Sequence, residues 1–206
     1  MSVSLATGLY GVSFGALAVA SGLSPWQAIA LSALMFTGGS QFAFLGVVGG
    51  GGTPGAATAA ASLVGIRNAI YGVQSKIRVR PTSWRVPVAA HLTIDESVAV
   101  SSSQDDPAEV KRGFWVTGIG VFITWNLFTI LGVVAGNAMG DPQAWGLDGA
   151  AVAAFMGLLW PRLRAAEPVA IAVACAAVTI IAVPFLPPGL PILAAALTAL
   201  AWAVVR

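Results

Sequence analysis

The chain has 206 residues, of which 57% are hydrophobic and 9% charged, with a formal net charge of +2. So little charge excludes an ordinary soluble domain, and a surplus so small and dispersed excludes a nucleic-acid partner; the composition is that of a polytopic membrane protein. No Asp, Glu, Lys, Arg or His precedes Arg67, and an uncharged run of that length cannot cover the solvated surface of a soluble domain.

A spanning helix takes roughly 20 largely apolar residues. Seven stretches approach that length: 4–20, 26–48, 55–75, 113–138, 147–160, 167–184 and 189–205. The expected fold is all-α, a polytopic integral membrane bundle of about seven spans forming one transmembrane domain over residues 1–206. The N-terminus lacks the positive region of a signal peptide and runs directly into apolar sequence, so the first segment is expected to be retained. Gly11-x3-Gly15 in that segment permits close approach of another backbone.

Ser24-Pro25-Trp26-Gln27 supplies an N-cap serine, a proline at the first helical position and a glutamine at the third, which predicts a helix start. Inside 26–48, Thr37-Gly38-Gly39-Ser40-Gln41 is an abrupt polar break. Two adjacent glycines weaken a helix by about 1 kcal/mol each relative to alanine. One reading is an unwound helix whose backbone binds substrate; the other is close packing of helices through small residues. Gly49 to Pro54 reads as a loop.

On 55–75, Arg67, Tyr71 and Gln74 recur at i, i+4 and i+7 and share one helix face. Arg67 lies too deep to be only a topology anchor. Its side chain either snorkels to the membrane edge or offers paired donors to a carboxylate, whether a substrate's or that of Asp95 or Glu96.

The stretch 86–103 is short and polar. Basic residues cluster at Lys76/Arg78/Arg80/Arg85, Lys111/Arg112, Arg162/Arg164 and Arg206. The positive-inside rule asks for all of them in the cytoplasm, which a full span over 86–103 would prevent. A re-entrant or discontinuous element is therefore expected there. His91 and Asp95 stand one helical turn apart, with Glu96 a quarter turn away. Carboxylates partly withdrawn from water can take up and release protons as access alternates, so proton coupling by His91, Asp95 and Glu96 is one reading. A polar hairpin tip in cytoplasmic water is the other.

Further on, Gly132-x3-Gly136-x3-Gly140 repeats the small-residue spacing, and Asp141-Pro142 and Trp160-Pro161 break the chain. The only cysteine, Cys175, reads as a small buried hydrophobe. Leu186-Pro-Pro-Gly189 predicts a tight reversal between the last two segments, a final hairpin almost purely of Ala, Val, Leu and Ile that reads as scaffold. With one histidine and no nucleophile motif, neither enzyme activity nor a metal or other cofactor is expected.

Five blocks carry a family resemblance: Phe14-Gly-Ala-Leu-Ala-Val-Ala-Ser-Gly-Leu-Ser-Pro25, Thr37-Gly-Gly-Ser-Gln-Phe42, Arg67-Asn-Ala-Ile-Tyr-Gly72, His91-Leu-Thr-Ile-Asp-Glu-Ser97 and Gly146-Leu-Asp-Gly-Ala-Ala-Val-Ala-Ala-Phe155. In this order the chain resembles the AzlC family, large subunits of branched-chain amino acid exporters. Asn68 stands where the family usually has histidine, and Thr93-Ile94 where it has Leu-Thr. The resemblance implies a multi-pass protein of the inner or plasma membrane that exports valine, leucine and isoleucine, with methionine a further candidate. It also implies a small AzlD-like membrane subunit as partner and the proton gradient as driving force. The expected site joins Gly38, Gly39, Ser40, Gln41, Arg67 and Tyr71 around the substrate, with Asp95, Glu96 and His91 handling protons. The alternative is a channel, or a transporter for another small zwitterion.

Overall fold

The computed structural model describes residues 2–138, 156–157, 159–160, 163–187 and 189–205. Most of the expected span 147–160, the residues Gly140 to Pro142 and the block from Gly146 to Phe155 lie outside the described residues. Among the described residues the structure contains nine helices and no strand.

α1 (Ser2–Ala20) ends at Gly22, whose φ of 86° lets Leu23 N–H reach back to Ala18 O while Gly22 N–H bonds Val19 O. This paired closure satisfies the last carbonyls of the helix, and it favours glycine because the left-handed backbone region penalises a Cβ. α2 (Pro25–Leu34) starts as its sequence predicts: Gln27 N–H donates to Ser24 Oγ and Ser24 N–H to Gln27 Oε1.

The helix then breaks at Met35–Thr37 and resumes as α3 (Gly38–Gly49). The expected break near 37–41 thus begins two residues earlier, and Gly38, Gly39, Ser40 and Gln41 form the first turn of α3 instead of unwound chain. Gln41 explains why the interruption is tolerated. Its side chain is fully buried, and Nε2 donates to Met35 O at 2.8 Å, Ser32 O at 3.2 Å and Leu31 O at 3.3 Å. Leu31 O also accepts from Met35 N–H and Met35 O from Thr37 N–H, so the amide adds a second donor to these two and supplies Ser32 O at the end of α2.

α4 (Pro54–Arg78) begins with Thr53 as N-cap and Pro54 at the first position, and ends in Lys76 and Arg78. α5 (Arg85–His91) and α6 (Asp95–Ser102) are separated by Leu92–Ile94, so the polar stretch is discontinuous, as its composition predicts. Side chains again take up the loose backbone: Ser97 Oγ donates to Leu92 O at 2.7 Å, and Thr93 Oγ1 to Ala89 O at 2.7 Å. Arg78 closes the far end of α6 through Nη2 to Gln104 O at 2.8 Å.

α7 (Pro107–Ala138) is the principal partner of α1. The two helices meet along a glycine seam. A methyl on Gly11 would lie 2.6 Å from Trp125 O; one on Gly15 would strike Thr129 O, and one on Gly132 would strike Val12 O. Gly11 and Gly15 of the first small-residue pattern and Gly132 and Gly136 of the second therefore lie in the same seam. Thr124 Oγ1 donates across the seam to Ser4 O at 2.7 Å. α8 (Ala166–Ala182) and α9 (Leu190–Val205) pair with each other through the turn at Gly189, with Cys175 Sγ facing Ala195 O at 3.3 Å.

Among the described residues, α1 and α7 are the helices long and apolar enough to cross a membrane. α4 has the length but carries Arg67, Lys76 and Arg78, and the stretch 26–48 is two half-helices. α4 turns Ile66, Ile70, Val73 and Ile77 outward, and α7 does the same with Ile123, Leu127, Leu131 and Val134.

Candidate functional site

The two helix breaks meet. A cavity of about 340 Å³ lies between Phe36 and Thr37 with the start of α3 on one side and Ile94 with the start of α6 on the other. α1 contributes Thr7 and Tyr10 to its wall, α4 contributes Arg67, and α7 contributes Val121 and Trp125. The volume falls at the lower end of the roughly 300–1,000 Å³ range of small-molecule pockets.

Arg67 projects from the middle of α4 to the start of α6. Its Nη2 donates to Asp95 Oδ2 at 2.7 Å, and each side chain is about one-third exposed, 34% and 38%. Asp95 Oδ1 and Arg67 Nε are buried and without a hydrogen-bond partner in the described structure, so each member keeps an unused site. Glu96 follows Asp95 on the cavity wall with no cation within ion-pair distance among the described residues, and Thr7 faces its carboxylate.

The glycine pair shapes this site in a way its sequence does not reveal. A methyl on Gly39 would lie 2.8 Å from Arg67 Nη2 and 3.1 Å from Nη1, and one on Gly38 would lie 3.2 Å from Trp125 Cη2. One glycine seats the guanidinium and its neighbour seats the indole. Thr37, the N-cap of α3, makes no side-chain cap, so the first N–H groups of α3 have no intrahelical acceptor and sit at the cavity wall. Helix N-termini so disposed favour an anion. Trp125 packs on Phe14 and Phe42, with centroids 6.1 and 6.4 Å away, and its Nε1 is buried without a hydrogen-bond partner in the described structure.

Of the residues singled out in sequence, Gly38, Gly39, Arg67, Asp95 and Glu96 gather around the cavity. Ser40 and Gln41 do not line it: Ser40 is buried, its Oγ 3.2 Å from where a methyl on Gly65 would stand, and Gln41 ties α3 to α2. Tyr71 lies one turn beyond Arg67, half-buried and outside the wall. His91 ends α5 with its ring 5.8 Å from that of Phe36 and 5.6 Å from that of Phe122. The one-turn spacing from His91 to Asp95 presumed a continuous helix, and the break at Leu92–Ile94 removes that relation. Thr7, Tyr10, Phe36 and Trp125 are wall residues that the sequence does not announce. Each looks like an ordinary member of an apolar run, and only tertiary contact selects it.

A helical chain with apolar outer faces, in which Arg67, Asp95 and Glu96 line a cavity between two interrupted helices, has the construction of a membrane transport protein. The AzlC protein family matches residues 2–139, more than half of the chain, and the chain belongs to that family. The match takes in four of the five sequence blocks and stops before Gly146. No curated protein and no solved structure matches the chain.

Proposed function

We propose that this chain is the large subunit of a proton-coupled exporter of branched-chain amino acids, working with a small AzlD-like membrane subunit in the inner or plasma membrane. The carrying observation is the Arg67–Asp95 ion pair inside a cavity bounded by two helix breaks. A zwitterion needs a cation or amide donors for its carboxylate and an apolar wall for its branch. Arg67, the amides at Gly38 and Gly39, and the rings of Phe36, Phe42 and Trp125 supply that chemistry. Ser40, Gln41 and Tyr71 act from behind the wall, by holding α3 and α4 in position. Of the two carboxylates, Glu96 is the one without a cation partner among the described residues, and we assign it the proton; His91 acts at a distance through Phe36, which its ring contacts.

In this reading the helices form a bundle of about seven spans, with both interrupted elements dipping to membrane depth. Irregular backbone survives there only when protein or a water cavity covers it. All four basic clusters then face the cytoplasm.

The test is uptake and release of labelled leucine by sealed vesicles containing the chain with and without its small partner. Accumulation against a leucine gradient that collapses when the proton gradient is abolished supports the proposal. A channel would equilibrate leucine and never build a gradient, and a transporter for another zwitterion would leave leucine unmoved.

A further inference from the structure

The Arg67–Asp95 pair leaves the cavity closed on itself. Arg67 and Asp95 already meet each other at 2.7 Å, so a ligand that is to bind either of them must break that contact first. A carboxylate alone could take Arg67 only by leaving Asp95 unmet. An amine alone could take Asp95 only by leaving Arg67 unmet. In a partly buried site either orphan is costly.

From this geometry we infer that the pair is a clasp opened by exchange: a zwitterion inserts between Arg67 and Asp95, its carboxylate taking the guanidinium and its ammonium the freed Asp95 carboxylate. This rests on the amino-acid reading above and narrows it to ligands that carry both an ammonium and a carboxylate. Charge is conserved pair for pair, with one ion pair lost and two formed.

The two sides of the clasp differ in how they are held. Arg67 stands in the middle of a 25-residue helix with its guanidinium against Gly39. Asp95 is the first residue of α6, directly after the break at Leu92–Ile94, and its Oδ1 is buried with no hydrogen-bond partner in the described structure. Opening therefore falls to the Asp95 side. The other groups facing the pair do not replace either member. Glu96 repeats the negative charge, α1 brings the neutral hydroxyls of Thr7 and Tyr10, and α7 brings Trp125. His91, at the end of α5, is engaged with Phe36 and Phe122.

The experiment is equilibrium binding to the purified full chain, with its partner subunit where one co-purifies. The probes are leucine, 4-methylpentanoate, which lacks the ammonium, and 3-methylbutylamine, which lacks the carboxylate. Wild-type protein is expected to bind leucine at least about thirtyfold more tightly than either analogue. Asp95→Asn keeps the shape of the side chain and releases Arg67, so it should bring 4-methylpentanoate to within about threefold of leucine. The ratio is read within one protein sample, so a loss of folded material affects both ligands alike. Wild-type protein that binds leucine and 4-methylpentanoate equally removes the clasp and leaves the exporter reading standing. So does an Asp95→Asn variant with the full wild-type discrimination. Wild-type protein that binds no α-amino acid overturns both.

Discussion

Replacing Gly39 with alanine adds one methyl group at the point where α3 meets Arg67. That methyl would sit 2.8 Å from Nη2, 3.1 Å from Nη1 and 3.3 Å from Val64 Cγ1. Two effects oppose each other. Alanine favours helix over glycine by up to about 1 kcal/mol, and a methyl forced into a filled space costs about 1–3 kcal/mol. The nearest atoms belong to the far end of a flexible side chain, so the guanidinium gives way before the backbone does. The fold should therefore change stability by no more than about 1–2 kcal/mol. The guanidinium, however, must leave its seat, and the 2.7 Å contact to Asp95 goes with it. Loss of about 1.4 kcal/mol in substrate binding is already a tenfold effect, and a displaced charge exceeds that. We expect membrane abundance and thermal unfolding of the detergent-solubilised protein close to wild type, with leucine transport per molecule reduced at least about tenfold. Gly39→Ala protein that transports normally while Arg67→Ala protein does not would refute the seat. A large loss of thermal stability would instead make Gly39 a packing residue between α3 and α4.

Gln41→Ala removes the donor shared by the three carbonyls at the end of α2 and should destabilise the protein by about 1–3 kcal/mol; unchanged thermal unfolding would show that other groups hold the break. Arg67→Lys should recover little of the transport lost in Arg67→Ala, because an ammonium cannot present the planar paired donors of a guanidinium; vesicle assays at matched abundance decide it. Glu96→Gln should eliminate uphill, gradient-driven accumulation and preserve leucine exchange, which moves no net proton; retained uphill export rules Glu96 out as the carrier. Cysteines at positions 80, 112 and 164 in a Cys175→Ala background should react with an impermeant thiol reagent only from the cytoplasmic side; labelling of position 112 in intact cells would mean that 86–103 spans fully.

The local parts of this fold are readable from sequence because their causes are local. Ser24 and Gln27 announce the start of α2 through a reciprocal hydrogen-bond pair, and the polar residues at 37–41 and 91–97 mark both helix interruptions. Arg67 and Asp95 stand out because ionisable side chains are rare in so apolar a chain. The roles of Gly39 and Gln41 are not readable in the same way. Gly39 is explained by a side chain 28 residues later in the chain, and Gln41 by carbonyls that come within its reach only once α2 has stopped. His91 shows the limit of periodicity. Counting four residues to Asp95 assumes an unbroken helix, and the same polarity that marks the site breaks that helix. Trp125 gives no signal, since its contacts with Gly38, Phe14 and Phe42 are all made by residues more than 80 positions away.

The glycine seam between α1 and α7 has a consequence for the order in which the protein is made. Ser4 and Thr124, which bond across it, are 120 residues apart. At about 5–20 residues per second of synthesis, α1 emerges about 6–24 seconds before its main partner exists. Throughout that interval Gly8, Gly11 and Gly15 present a groove cut for a backbone that has yet to arrive, and the wall formed by Val121 and Trp125 is missing from the cavity. Arg67 and Asp95 are both synthesised inside the same window, before Val121 and Trp125, so the cavity that holds them is complete only once α7 has docked. Assembly of the seam and enclosure of the charges are thus one event, and a chain that stalls before α7 leaves its ion pair unsheltered.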